Sequence, residues 1–268
     1  MGPKRYGELR HAALACLVEC DAQRKAESTQ ALAERWNAGG LTLDADTLIG
    51  EPSEIPGRPE LPELVDPLAV GRRSMGSVDG RAALIHALAH IEFNAVNLAL
   101  DAVWRFAAMP REFYADWLRV AAEEALHFSL LARHLQTLGY GYGSFKAHNS
   151  LWDMAHKTKG DVLARIALVP RTFEARGLDA TPPIRAKLAQ AGDLAAAGIL
   201  DIILRDEIGH VAVGNRWFAW LCEQRSLDPI AVFAELSALY KAPVLRGPFN
   251  VEARRAAGFT EAELSKLI

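Results

Sequence analysis

Two short motifs in this chain place a histidine three residues after a glutamate: Glu124 with His127, and Glu207 with His210. On a helix that spacing projects both side chains from one face. Each motif has a solitary partner upstream, Glu92 lying 32 residues before Glu124 and Glu174 lying 33 before Glu207. Four carboxylates and two imidazoles in this order are the ligand set of a carboxylate-bridged pair of metal ions inside a four-helix bundle. The chemistry needs those residue types. Carboxylates balance the charge of two divalent ions and bridge them, and one neutral imidazole completes each ion. The expectation is that Glu92, Glu124 and His127 serve mainly one metal and Glu174, Glu207 and His210 the other, with Glu124 and Glu207 bridging. Iron is the expected metal, with manganese or a mixed manganese–iron pair as alternatives.

A Glu-x-x-His pair alone is ordinarily a solvated surface pair, so the context decides. Ala121, Ala122, Ala125, Leu126 and Phe128 surround the first motif, and Ile202, Ile203, Leu204, Ile208 and Val211 surround the second. Charged groups on such apolar helices are costly to bury unless paired or metal-bound. Glu123 and Asp206 immediately precede the motif glutamates. A ligating imidazole normally donates its other N–H to a carboxylate, which gives Asp206 the role of supporting His127 and Glu123 that of supporting His210. His86 and His90 are rotated well off Glu92 around the same helix and read as interhelical hydrogen-bonding or cavity-lining groups.

Helices must position these residues, and the pattern supplies them. Residues 6–36 read as an amphipathic helix. Five prolines (Pro52, Pro56, Pro59, Pro62 and Pro67) then exclude helix, leaving an extended arm whose Leu61, Leu64, Val65 and Leu68 are expected to pack on the body. Ser77 or Asp79 can cap a helix over 82–108. Pro110 suits the first turn of the next, which ends near Leu138 at Gly139. After a crossover, a third helix is expected over 150–177, kinked by Pro170. Thr181-Pro182-Pro183 opens a fourth helical region reaching about Glu223, jogged near Gly192 or Gly198. A helix near 228–240 follows, and Thr260 and Glu263 offer a capping box close to the end. The two helix pairs, near 80–138 and 150–223, form an internal pseudo-repeat. The expected division is 1–76 (N-terminal helix and arm), 77–225 (the di-metal bundle) and 226–268 (C-terminal helix and tail), all of it α.

Composition bounds the rest. The chain has 268 residues, half of them hydrophobic, with a net charge of −3 and no long basic run. That balance argues against a dedicated nucleic-acid or anionic-membrane binder. Three cysteines give no disulfide framework. No signal-peptide core is visible at the start, and no apolar run reaches the roughly 20 residues that span a bilayer. A cytoplasmic location and no membrane association are expected.

The Glu…ExxH…Glu…ExxH pattern over residues 80–223 resembles the ferritin-like superfamily of di-iron carboxylate proteins. Pro56-Gly57-Arg58-Pro59, Ala89-His90-Ile91-Glu92, Leu168-Val169-Pro170-Arg171 and Pro248-Phe249-Asn250 resemble, more narrowly, a bacterial ferritin-like family known as domain of unknown function 455. The resemblance implies a ferritin-like four-helix bundle with an extra N-terminal helix, an extended arm and a helical tail. It leaves the reaction open. One expectation is an oxidoreductase that activates dioxygen to oxidise or hydroxylate a small organic substrate, drawing on an electron donor and working as a monomer or homodimer. The alternatives are a storage-type or non-catalytic metal-binding protein and, more distantly, a tRNA-modifying hydroxylase.

Overall fold

The computed structural model describes residues 7–71 and 75–267, and among these the regular structure is helical, with no strand. Among the described residues the β-type pairings are two isolated parallel bridges, Glu8 with Thr42 and Leu64 with Ala147. The chain forms two compact units, Met1–Ser150 and Leu151–Ile268.

In the first unit, α1 (Leu9–Leu17) packs on α3 (Val78–Arg105), α2 (Ala22–Asn37) packs on α4 (Arg111–Thr137), and α3 lies along α4. The single N-terminal helix expected over 6–36 is therefore two helices. The break has a physical cause. The Leu17 carbonyl at the end of α1 accepts from the Gly57 N–H (2.9 Å) and the Lys25 ammonium (2.9 Å), while Asp21 caps α2 by accepting from the Arg24 N–H. Lys25 is fully buried and also donates to the Gly57 carbonyl and Asn97 Oδ1, both at 2.6 Å. Three oxygen acceptors take its three N–H groups and sew the extended arm to α1 and α3.

The arm is held differently from the expectation. Pro56, Gly57 and Pro62 are buried, whereas Leu61 and Leu64 are exposed and Leu68 is 96% exposed. The backbone carries the docking: a side chain on Gly57 would run into the Val18 carbonyl. Only a residue without a β-carbon lies flat there.

α3 begins at Ser77, whose hydroxyl accepts from the Gly80 N–H. On average hydropathy it is long and apolar enough to span a membrane, but 72% of its most apolar window is buried in the fold. A stripe of buried polar groups (His86, His90, Asn94, Asn97 and Asp101) runs along it, on the side opposite Glu92.

In the second unit, the helix expected over 150–177 is broken into α5 (Ser150–Lys157), α6 (Val162–Leu168) and a wide π-helical turn, Val169–Glu174. Asp161 restarts the chain by capping α6. Pro170 lacks the N–H that a regular helix needs, and the turn widens around it, with Thr172 Oγ1 donating to the Ala167 carbonyl at 3.0 Å. α7 (Ala175–Gln190) runs straight through Pro182 and Pro183, where a helix start was expected. Pro182 leaves the Leu178 carbonyl without its helical donor, and the Asn250 side-chain amide donates to it instead at 3.2 Å. The break falls at Gly192, which adopts φ +83, and Asp193 caps α8 (Leu194–Gln224). α9 (Pro229–Leu239), α10 (Val251–Ala256) and the short α11 (Glu261–Leu264) complete the unit. The expected capping box of Thr260 and Glu263 is present.

Candidate metal centre

α3 and α4 bring Glu92, Glu124 and His127 together. Glu124 and His127 are fully buried and Glu92 is 4% exposed. His127 Nδ1 stands 3.3 Å from Glu124 Oε2 and 3.4 Å from Glu92 Oε2. One donor atom from each of the three residues fits within 4.8 Å of the others. Burial, and then the neighbouring Glu124 charge, pushes the Glu92 carboxyl well above the ordinary range. Burial works to lower the His127 imidazole, but the hydrogen bonds and charges of Glu124 and Glu92 outweigh it and lift the group to about 11. Two carboxylates crowded on one imidazole away from water are an expensive arrangement for a core. They are an ordinary arrangement for holding a cation, and the buried N,O donor set suits iron, manganese or zinc. The three residues fit a metal ion.

Aromatic rings from α3, α4 and the loop after α4 pack on one another. Phe93 and Phe128, each next in sequence to a ligand residue, are buried with ring centroids 5.5 Å apart. The Tyr142 ring, delivered by the loop after α4, packs edge-on to Phe128 at 5.1 Å. Its hydroxyl lies 2.9 Å from His90 Nδ1, and His90 Nε2 lies 3.1 Å from the His148 carbonyl. With the proton on Nε2, His90 donates to that carbonyl and accepts from Tyr142. His86 accepts the Gly143 N–H at 3.0 Å. The two histidines thus hydrogen-bond the loop after α4, where interhelical bonds or a cavity lining were expected.

Glu123 lies on a different face of α4. It accepts from Arg119 at 3.1 Å and lines a groove of about 670 Å³ between α2 and α4, together with Glu34, Trp36 and Asp116. Asp206 accepts from its neighbour Arg205 at 2.8 Å.

The second unit holds the other three expected ligands, all buried: Glu174 closes the π-helical turn, and Glu207 and His210 lie on α8. His210 Nδ1 is 3.9 Å from Glu207 Oε1. Gly214, one turn after His210 on the same face, receives the Pro170 ring, and a β-carbon there would stand 2.7 Å from Pro170 Cβ. Next to it, Asn215 Oδ1 accepts from Arg171 Nε at 2.6 Å. The turn that carries Glu174 is therefore registered against α8 by contacts adjoining the Glu207–His210 motif. Motif spacing offers no hint of Gly214 or Asn215. The glycine becomes legible only when paired with the proline it accommodates.

The family model described as "Protein of unknown function (DUF455)" matches residues 18–265. An uncharacterized protein of Haemophilus influenzae is 54% identical over 213 residues, covering 77% of this chain and 74% of that protein. No solved structure matches. With the family model spanning nearly all of its length, the chain belongs to the DUF455 family.

Proposed function

We propose that the protein is a di-metal carboxylate oxidoreductase with a ferritin-like bundle, acting in the cytoplasm on a small organic substrate with dioxygen and an external electron donor. The observation that carries this reading is the buried convergence of Glu92, Glu124 and His127 within 4.8 Å. The same residue types recur as Glu174, Glu207 and His210, so the chain offers four carboxylates and two imidazoles, the complement of two bridged ions. Bound iron or manganese would supply the capacity to activate dioxygen and exchange electrons. The chain's own residues do the rest. Glu92, Glu124 and His127 would hold one ion and Glu174, Glu207 and His210 the other, and the burial of the first trio keeps bulk water from it.

Element analysis of the purified protein tests the reading. About two iron or manganese ions per chain are expected, as six such ligands require, with loss of metal in Glu124→Ala. Stability should also depend on loading. In the metal-free protein Glu124 is paired with the His127 imidazolium, so Glu124→Gln lowers the melting temperature there, and it lowers it further when bound metal also loses a ligand. A wild-type protein that takes up no metal, with a variant that melts identically under all conditions, refutes the site. Assembly into a large closed cage would favour storage over turnover by a monomer or homodimer.

A further inference from the structure

Residues 250–264 grip the chain on both sides of Glu174. On its C-terminal side, Arg254, fully buried, donates from Nε (3.0 Å) and Nη2 (2.5 Å) to the Asp179 carboxylate and from Nη2 to the Ala175 carbonyl at 3.2 Å. The Asn250 N–H donates to Asp179 Oδ1 at 2.9 Å, and the Asn250 amide satisfies the carbonyl that Pro182 leaves open. On the N-terminal side, Arg171, three residues before Glu174 and 3% exposed, donates to the Glu263 carboxylate. The Phe259 ring lies between the two guanidiniums, 5.2 Å from that of Arg171 and 5.5 Å from that of Arg254. Asn215 joins the same set, accepting from Arg171 and donating to the Ala257 carbonyl at 2.7 Å. Ala253, Ala257, Phe259 and Leu264 share one apolar core with Ala175, Leu178 and Val211.

The chemistry of these contacts is specific. A π-helical turn is rare and this one contains Pro170, which supplies no backbone donor, so a ligand at its end needs outside support. Two buried arginines, Arg171 in the turn and Arg254 in the C-terminal segment, pair with the carboxylates of Glu263 and Asp179 respectively, and the pairs tie this turn and the first turns of α7 to that segment. Glu263 uses one oxygen to close the capping box of α11 and the other to hold Arg171. Breaking a buried charge pair leaves its partner uncompensated, which makes such contacts strong determinants of local geometry.

We infer that residues 250–264 are a brace whose function is to fix the backbone at Glu174, with Glu263 and Asp179 as positioning residues for that ligand. The inference rests on the metal reading above, and the test separates the two. Wild type, Glu263→Gln and the control Glu261→Gln, which touches only the exposed Arg255 pair in the same short helix, are titrated anaerobically with Mn²⁺ and followed by electron paramagnetic resonance. Amide hydrogen exchange is measured over residues 169–178. Glu263→Gln should weaken Mn²⁺ binding about tenfold, the scale of losses from supporting residues around metal ligands. It should also quicken exchange over 169–178, while Glu261→Gln does neither. Unchanged Mn²⁺ affinity in Glu263→Gln, or unchanged exchange in that stretch, overturns the brace. If wild type itself binds no Mn²⁺, the metal reading fails, and the exchange comparison alone decides for or against the brace. Should Glu263→Gln not fold, Asp179→Asn breaks the other anchor and is held to the same outcomes.

Discussion

The Pro170 ring occupies the space that any side chain at position 214 would need, so Gly214 sets how closely the turn bearing Glu174 lies against α8. Both residues break a local rule. A glycine inside a helix costs about 1 kcal/mol against alanine, and a proline there removes a backbone donor. Together they place the turn that ends in Glu174 over the face of α8 that carries Glu207 and His210.

Replacing Gly214 with Ala should therefore destabilise the protein despite improving helix propensity. The added carbon forces Pro170 to move, and overpacking of this kind costs about 1–3 kcal/mol, more than the propensity gain returns. Urea denaturation checks the sign. The same variant should bind metal more weakly, whereas Gly198→Ala, which meets nothing within 4 Å, should be neutral or stabilising on both measurements.

Lys25 offers a second test, independent of any metal. Burial, followed by the charge of Arg58, draws its pKa down to about 7, and its amine donates to three oxygen acceptors. Lys25→Met keeps the length of the side chain but strands the Gly57 carbonyl and Asn97 Oδ1, while the Leu17 carbonyl keeps the Gly57 N–H. At about 1–3 kcal/mol for each buried group left unsatisfied, a loss of about 2 kcal/mol or more is expected. Limited proteolysis should then cut first near Gly57, where the arm loses its fastening.

Glu8 makes a prediction with a defined pH sign. Burial works to raise its pKa, but the His11 and Arg10 N–H groups, the His11 side chain and the Asp44 N–H outweigh that and hold it below the ordinary carboxylate value. A depressed folded-state pKa gives stability that is complete above the unfolded value and lost as pH falls through the folded one. Glu8→Ala should cost about 1 kcal/mol at neutral pH, the usual effect of an N-cap. The gap from wild type should close progressively below pH 4.5. Thermal melts at neutral and acidic pH measure it.

How much of this was legible beforehand follows from the range of the forces involved. Helix identity and caps depend on nearby residues, which is why Ser77, Asp228 and the Thr260–Glu263 box act where local chemistry places them. The spacing of Glu124 and His127 likewise predicts a shared face, and α3 adds Glu92 so that the three lie within reach of one ion. Local rules fail where a distant group supplies the missing partner. Leu17 and Leu178 have carbonyls that a sequence reading leaves to a continuous helix or to a break. Gly57 and Lys25 take the first and end α1 early; Asn250 takes the second and lets α7 pass through two prolines.

The sequence alone thus determined the helical class, the bounds of helices such as α4 and α9 to within a residue or two, and the residue types of a candidate metal site, because periodicity, capping and side-chain chemistry are local properties. Tertiary structure decided the width of the turn before Glu174, the glycine that seats its proline, the backbone docking of the arm and the burial of Lys25, Arg171 and Arg254. Those features depend on hydrogen-bond partners and free volume supplied from tens of residues away, which no local spacing records.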